Sequence, residues 1–531
     1  MDRFQRMRRR RAAVAVLSAI VGVYAPATFG APDGVNTFKF MERPGPYAVG
    51  VRVIEQFDRS RTYGYATDDL GRTNQREAAR PMQTIVWYPA ERSADPPMTV
   101  RDYAMLAMTE EGFRRQKLAT TAQEWISSME GSLDDRLWAR RNAREAPGRF
   151  PVVIYTPSWS DIPMAWENAD LCEYLASYGY IVVASPNLGS LSRHMTGDLA
   201  GANTQARDIS FLVGYASKLA NADDKHVAVV GFSWGGITGL FAAARDRRIS
   251  ALVALDGALR YFPGLVKQAG DVHPDQMSVP LLYFEQGNFS LEDYERLIPV
   301  PDRQGPSVLN SWTHGELVAV RMLGLTHQEF SSMYQRNEIT WRMFNDPMLP
   351  LHQVADYGRA DGVTGYAWVA RYTLMFLDAH LKGEQAALRF LKNDPAANGV
   401  PTHFMSVNYR RPSNTAPSFD DFRAEVGHQG FANAGEVYAA IRERDGDFRL
   451  EESAIEHWAE GLVDDGHFPE AITLLKLDVQ IYPDSSGALT SLADAYRFSG
   501  QKQLAVDSYK KALEKDPLNL DAKIRLEQLV P

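Results

Sequence analysis

Apolar residues along this chain follow two different rhythms. Between about residues 150 and 285, short apolar runs alternate with longer stretches of helical spacing. The runs are Phe150-Pro-Val-Val-Ile-Tyr155, Tyr180-Ile-Val-Val-Ala184, Val227-Ala-Val-Val230, Ala251-Leu-Val-Ala-Leu255 and Pro280-Leu-Leu-Tyr-Phe284. Unbroken β-branched runs of this kind mark strands buried on both faces. Between them, Asn168 to Tyr178 and Thr204 to Leu219 read as helices, the second with Ile209, Leu212, Val213, Ala216 and Leu219 on one face. Tyr366 to Leu381 reads as a closing helix. Alternating strands and helices imply right-handed βαβ crossovers and a parallel sheet. Ahead of this core, Tyr47 to Ile54 and Met82 to Tyr88 read as an antiparallel hairpin, with Arg59 to Tyr63 in its connection. Residues 100–147 are rich in Met, Ala, Glu and Arg and poor in β-formers. They read as an insertion of two helices. The expected fold class is α/β: a mostly parallel sheet with helices on both faces.

The second rhythm begins near residue 415. Gly466 and Gly500, Ala471 and Ala505, and Pro483 and Pro517 are spaced alike. Their spacing of about 34 residues is the tetratricopeptide period, that of stacked helix pairs. Leu492, Ala493, Tyr496, Ala505, Tyr509, Ala512 and Pro517 fill one unit, expected over 486–519. Ile455, Trp458, Ala459, Leu462, Ala471, Leu475 and Pro483 fill the unit before it, over 452–485. Leu518 to Leu529 reads as a capping helix, and a degenerate pair is expected between Phe419 and Arg449. Pro401, Pro412 and Pro417 mark residues 401–418 as a linker. The tail, 419–531, is thus expected to be an all-α repeat domain after a core domain at 28–400.

The start of the chain differs from both. Arg3, Arg6 and Arg8 to Arg11 precede an apolar run from Ala12 to Ala25, and Ala25-Pro-Ala27 offers small residues for cleavage. Residues 1–27 therefore read as a secretory signal peptide, and the protein is expected to be exported to the periplasm or the medium, with no integral span after cleavage. Removal of that segment leaves 51 basic and 65 acidic side chains, a net of −14. That charge argues against a nucleic-acid partner. Cys172 is the sole cysteine, which excludes an internal disulfide and a cysteine-rich metal site.

Candidate chemistry centres on Gly231-Phe-Ser-Trp-Gly235, a G-x-S-x-G between a strand and a helix. Such a turn lifts the Ser233 hydroxyl above the sheet as a nucleophile. Its two glycines sit where a Cβ would meet neighbouring backbone. A serine nucleophile needs a base, an orienting acid and an oxyanion hole. Asp256 and Glu285 each follow a strand and compete as the acid. His314, His327, His352 and His380 follow the acid in chain order and compete as the base. One oxyanion donor is the N–H of Trp234. The second is expected from the loop after Phe150 to Tyr155, at Trp159 or its neighbour. This chemistry needs no metal and no cofactor.

Residues 35–395 resemble the platelet-activating-factor acetylhydrolase and dienelactone hydrolase group of α/β-hydrolases. The resemblance lies in "GPYAVG", "RPMQTIVWYPA", "FPVVIYTPSW", "YLASYGYIVVASP", "GFSWGG", "ALVALDGAL", "LTHQEF" and "FLDAHLKG". In that group the acid lies in an A-L-D segment and the base in an H-Q-x-F segment. The resemblance therefore implies Asp256 as acid and His327 as base, with Trp159 and Trp234 N–H in the oxyanion hole. The group usually carries His-Gly after the third strand, where this chain has Pro157-Ser158. The implied function is an exported serine hydrolase acting on a small or lipid-like carboxylic ester, with the repeats recruiting a partner or a second copy. A hydrolase-fold scaffold acting through its repeats, and a serine peptidase or amidase, are the competing readings.

Overall fold

The structure is a computed structural model that describes residues 38–530 except 66, 68–69, 74–77, 114–116, 160–163, 288–306, 338–358, 413–416 and 447. The expected signal segment and His352 lie outside the described residues. The chain divides into two compact units, one up to residue 413 and one from residue 414.

The first unit is built on one sheet. Its strands are β1 (Ala48–Tyr63), β2 (Ala78–Ala90), β3 (Pro97–Thr99), β4 (Arg136–Arg141), β5 (Phe150–Thr156), β6 (Ile181–Ala184), β7 (Ala222–Phe232), β8 (Ile249–Leu255), β9 (Leu281–Gln286), β10 (Leu317–Met322) and β11 (Met405–Arg410). They lie in the order β11-β10-β9-β8-β7-β5-β6-β2-β1-β4-β3. From β10 to β6 every neighbouring pair is parallel. Along β5, Val153 and Tyr155 enter one apolar cluster and Val152 and Ile154 another. The sheet is thus buried on both faces, which is why its strands lack polar alternation. Helices α1 (Ala169–Ser177), α2 (Leu199–Ala216), α3 (Trp234–Arg245) and α4 (Arg359–Leu381) cover it. The result is an α/β-hydrolase-like fold. Cys172 is fully buried in α1. Among the described residues no helix is long and apolar enough to cross a membrane.

The structure departs from the expected elements in three places. First, β1 runs on through Tyr63, so Arg59 to Tyr63 is strand rather than connection. Its polar side chains read as a loop, but ion pairs hold them. Arg61 donates to Asp58 and Asp208, at 2.6 Å each. Second, the 100–147 insertion holds short helices at Val100–Ala104 and Thr120–Ser127 and also β4, which pairs with β1 and β3. Only Leu137 and Ala139 of β4 are buried, too weak an alternation among four arginine and tryptophan neighbours. Third, β10 was not anticipated, and β11 falls inside the expected linker. There Met405 to Arg410 pairs antiparallel with β10.

The second unit is all helix: α5 (Phe419–Gln429), α6 (Ala434–Arg444), α7 (Glu452–Asp464), α8 (Phe468–Ile481), α9 (Ser486–Phe498), α10 (Lys502–Lys515) and α11 (Leu520–Leu529). The α7–α8 pair and the α9–α10 pair start at 452 and 468, then at 486 and 502, the same offset each time. Ala459, Ala471, Ala493, Ala505 and Ala512 are the small residues at their contacts.

Arg80 is the most buried cation of the sheet region, at 1% exposure. It donates through Nε and Nη2 to the Asp208 carboxylate at 2.8 and 2.6 Å, and through Nη2 to the Leu188 carbonyl at 2.7 Å. The pair ties β2 to α2. Removing Arg80 leaves Asp208 with Arg61 alone and takes a buried donor from the Leu188 carbonyl. Arg80→Ala is therefore expected to cost about 2–4 kcal/mol in urea unfolding. Arg101→Ala, which breaks an exposed pair with Asp134, should cost under about 1 kcal/mol.

Candidate active site

Ser233 stands alone between the end of β7 and the start of α3, at φ 52° and ψ −117°. A residue with a Cβ rarely adopts that backbone, and it persists only where its surroundings force it. Main-chain bonds do so here. Ser233 N–H donates to the Leu255 carbonyl at 3.0 Å, and its own carbonyl accepts from Gly236 N–H at 3.0 Å and Ala258 N–H at 2.8 Å. The flanking glycines are steric necessities. A Cβ on Gly231 would lie 2.2 Å from the Gly235 carbonyl oxygen, and one on Gly235 would lie 2.2 Å from that of Thr156.

Asp256 follows β8 at φ 41° and is fully buried. Its Oδ1 accepts from Tyr261 O–H and Gln286 N–H, each at 3.2 Å. Its Oδ2 lies 2.5 Å from His327 Nδ1. On the other edge of the ring, His327 Nε2 lies 3.0 Å from Ser233 Oγ. A carboxylate at Nδ1 fixes the tautomer with the proton there, which leaves Nε2 to accept from the serine. His327 opens a short helical turn, His327–Phe330, with a capping box between Thr326 and Glu329. Its ring packs on Phe232, centroids 5.1 Å apart. Ser233 and His327 retain 8% and 9% exposure.

The competing residues are engaged elsewhere. Glu285 is paired with Arg260. A ring nitrogen of His314 faces the Asp275 carbonyl. His380 pairs with Glu316 at 3.0 Å. The structure brings together Ser233, His327 and Asp256.

The loop after β5 forms the opposite wall. Gln205 donates to the Pro157 carbonyl at 3.1 Å and Asn187 to the Ser158 carbonyl at 3.0 Å. Ser158 donates to the buried Glu167 carboxylate twice, from N–H at 2.7 Å and from Oγ at 2.6 Å. Tyr155 O–H adds a third bond to it at 2.8 Å. Ser158 N–H is therefore occupied, and among the described residues nothing engages Trp159 N–H. Trp234 N–H is the first of a helix and has no partner within it. The two indoles lie 6.1 Å apart, Trp234 fully buried and Trp159 half-buried. Glu167 and its neighbour also reach the segment that follows His327. Ser331 Oγ and Met333 N–H donate to the Glu167 carbonyl at 2.7 and 3.0 Å, and Asn168 Nδ2 donates to the Phe330 carbonyl at 3.1 Å. Sequence reasoning missed both residues. They sit in a polar stretch before a helix, which reads as a cap.

Comparison with known proteins gives a partial picture. The sequence model of the X-Pro dipeptidyl-peptidase (S15) family matches residues 81–277, which include Ser233 and Asp256 and end before His327. No curated protein matches the chain significantly. Among solved structures, a ferulic acid esterase from Streptomyces cinnamoneus aligns at 19% identity with a TM-score of 0.46, over 70% of this chain and 99% of that one.

Burial pushes the Glu167 carboxyl up to about 7, against Ser158 and Tyr155, which pull it down. Its folded pKa therefore exceeds the ordinary value of 4.5. The stability this group contributes is full below its unfolded pKa and is lost as pH rises through the folded one. Glu167→Gln should flatten that slope. The unfolding free energies of wild type and variant are expected to draw apart by on the order of 2–3 kcal/mol across that window. Parallel pH profiles would mean that Glu167 gains its proton at the same pH in the folded and the unfolded chain.

Proposed function

We propose that the chain is an exported serine hydrolase that cleaves carboxylic esters. The observation that carries this reading is the His327 bridge, 3.0 Å to Ser233 Oγ and 2.5 Å to Asp256 Oδ2. In this scheme Ser233 Oγ attacks the ester carbonyl carbon and His327 Nε2 takes its proton. Asp256 keeps the Nδ1 proton in place and stabilises the imidazolium. Negative charge develops on the former carbonyl oxygen, where the N–H groups of Trp234 and Trp159 receive it. One such donor typically lowers the barrier by roughly 3 kcal/mol. The intermediate collapses, and the alcohol leaves with the proton from His327. Water, activated by the same imidazole, then releases the acid and restores the serine.

The acetylhydrolase-like motifs favour an ester. The S15 match favours a second reading, an amide or peptide substrate carrying proline, on the same three side chains. The Arg-rich, then apolar start of the chain supports export. The repeating helix pairs support recruitment of a protein partner or of a second copy.

A fluorophosphonate probe should label the wild type and not Ser233→Ala. His327→Ala should lower p-nitrophenyl acetate turnover by several orders of magnitude, and His314→Ala should leave it near wild type. Turnover of an X-Pro p-nitroanilide well above that of the acetate would move the assignment to a peptidase. A chain ending after Pro412 keeps β11 and should retain ester turnover. Its loss would mean that the helical unit takes part in the hydrolysis.

A further inference from the structure

The second unit holds a group that its packing does not explain. Asp478, in α8, is fully buried, and neither of its carboxylate oxygens has a hydrogen-bond partner. Glu452 and Glu456 project from α7 one turn apart, on the same face. One carboxylate oxygen from each of the three residues lies within 4.8 Å of the others. Among the described residues none of the three is ion-paired. Two hydroxyls complete the surroundings. Ser485 Oγ donates to Glu452, and Ser491 Oγ donates to Glu456 at 2.8 Å.

Three carboxylates this close repel one another, and an unpartnered buried carboxylate carries a desolvation penalty besides. Burial and the charges of Glu456 and Glu452 push Asp478 up to about 7. Two things relieve such a cluster: a proton held between the carboxyls, or a cation. The donor set is all oxygen. That excludes the nitrogen and sulfur ligation that zinc selects, and it suits a hard divalent ion. Calcium binds oxygens at about 2.3–2.6 Å in a flexible sphere, so ligands across it stand up to about 5 Å apart, whereas the octahedron of magnesium is tighter. Asp478 is also the only one of the three with no hydroxyl donor, so both its oxygens are free to ligate.

We propose that Glu452, Glu456 and Asp478 form a Ca²⁺ site that pins α7 to α8 in the helical unit. Glu452 and Glu456 supply the outer ligands and Asp478 the inner one. Ser485 and Ser491 orient the two glutamates from the α9 side. The three residues belong to the helical unit and Ser233 to the other, and the role of the ion is structural: it fixes the first clear helix pair of the tail.

The test uses the full chain, stripped of metal with a chelator. Calorimetric titration with CaCl2 should show one ion bound per chain. Calcium should raise the unfolding midpoint followed by helical circular dichroism by several degrees. Asp478→Asn keeps shape and removes charge, and it should abolish both effects while the far-ultraviolet spectrum stays native. Glu456→Gln serves as a second variant and should weaken binding at least tenfold. Calcium binding that is unchanged in Asp478→Asn and Glu456→Gln would overturn the proposal. So would a calcium-blind wild type, most plainly if Asp478→Asn were more stable than wild type in alkaline buffer, since the cluster would then hold a proton. Ester turnover should not change in either variant.

Discussion

The site depends on a main-chain constraint before it depends on any side chain. β7 and β8 pair in parallel register up to Phe232 opposite Leu255. The next residue on each strand, Ser233 and Asp256, adopts a positive φ. The ladder continues through both turns, since Ser233 N–H reaches the Leu255 carbonyl and Ala258 N–H reaches that of Ser233. Each strained residue costs about 1–3 kcal/mol. Strands buried on both faces offset that cost, because a slip of one residue would send every core side chain of β7 to the wrong face. The positions of Ser233 and Asp256 are thus set by sheet register.

His327 has no strand to hold it. Its turn is fixed by a capping box and by contacts with the segment before α1. Asn168 and the Glu167 carbonyl hold residues 330–333, while the Glu167 side chain holds Ser158 on the far wall. One dipeptide therefore links the loop that carries His327 to the loop expected to supply an oxyanion donor. The resemblance to acetylhydrolases sets Pro157-Ser158 against His-Gly, and the structure gives Ser158 a local reason. Its hydroxyl and amide both bind Glu167, which a glycine does only with its amide. The loop is rigid by a different device.

Much of this architecture was legible in the sequence, for a physical reason. Runs such as Val227 to Val230 are buried on both faces, and burial leaves no room for ambiguity in composition. The parallel core, α1 to α4 and the helix pairs of the tail follow from such patterns. The edges did not. β4 and β11 each bury one face or less, and arginines on their open side mask the alternation. Arg59 to Tyr63 looks like a loop until Asp208, far along the chain, is placed beside Arg61. For the site, Ser233 follows from a local turn motif. Choosing Asp256 over Glu285 needed a family resemblance, because in the sequence both come directly after an apolar run; in the structure Asp256 does follow β8, whereas Glu285 lies inside β9. What separates them in space is Arg260, which occupies Glu285, and no spacing rule reveals that. Glu167 shows no motif at all, since its partners come from residues 155–158.

Buried carboxylates recur through the chain, and their surroundings sort them by task. Asp208 sits between two guanidinium groups and through them fastens β1 and β2 to α2. Asp256 has one hydroxyl, one amide and one imidazole, a set that holds its carboxylate turned toward His327. Glu167 has only neutral donors, so burial wins and its carboxyl rises toward neutrality. In each case the donors account for the acid. Asp478 breaks the pattern. It is as buried as Asp256, yet its nearest charged neighbours are two more acids and its oxygens have no donor among the described residues. Asp256, Asp208 and Glu167 each meet a donor, whereas Asp478 is aimed at a cluster of oxygens, an arrangement that lowers the free energy of the unit only when something positive lies between them.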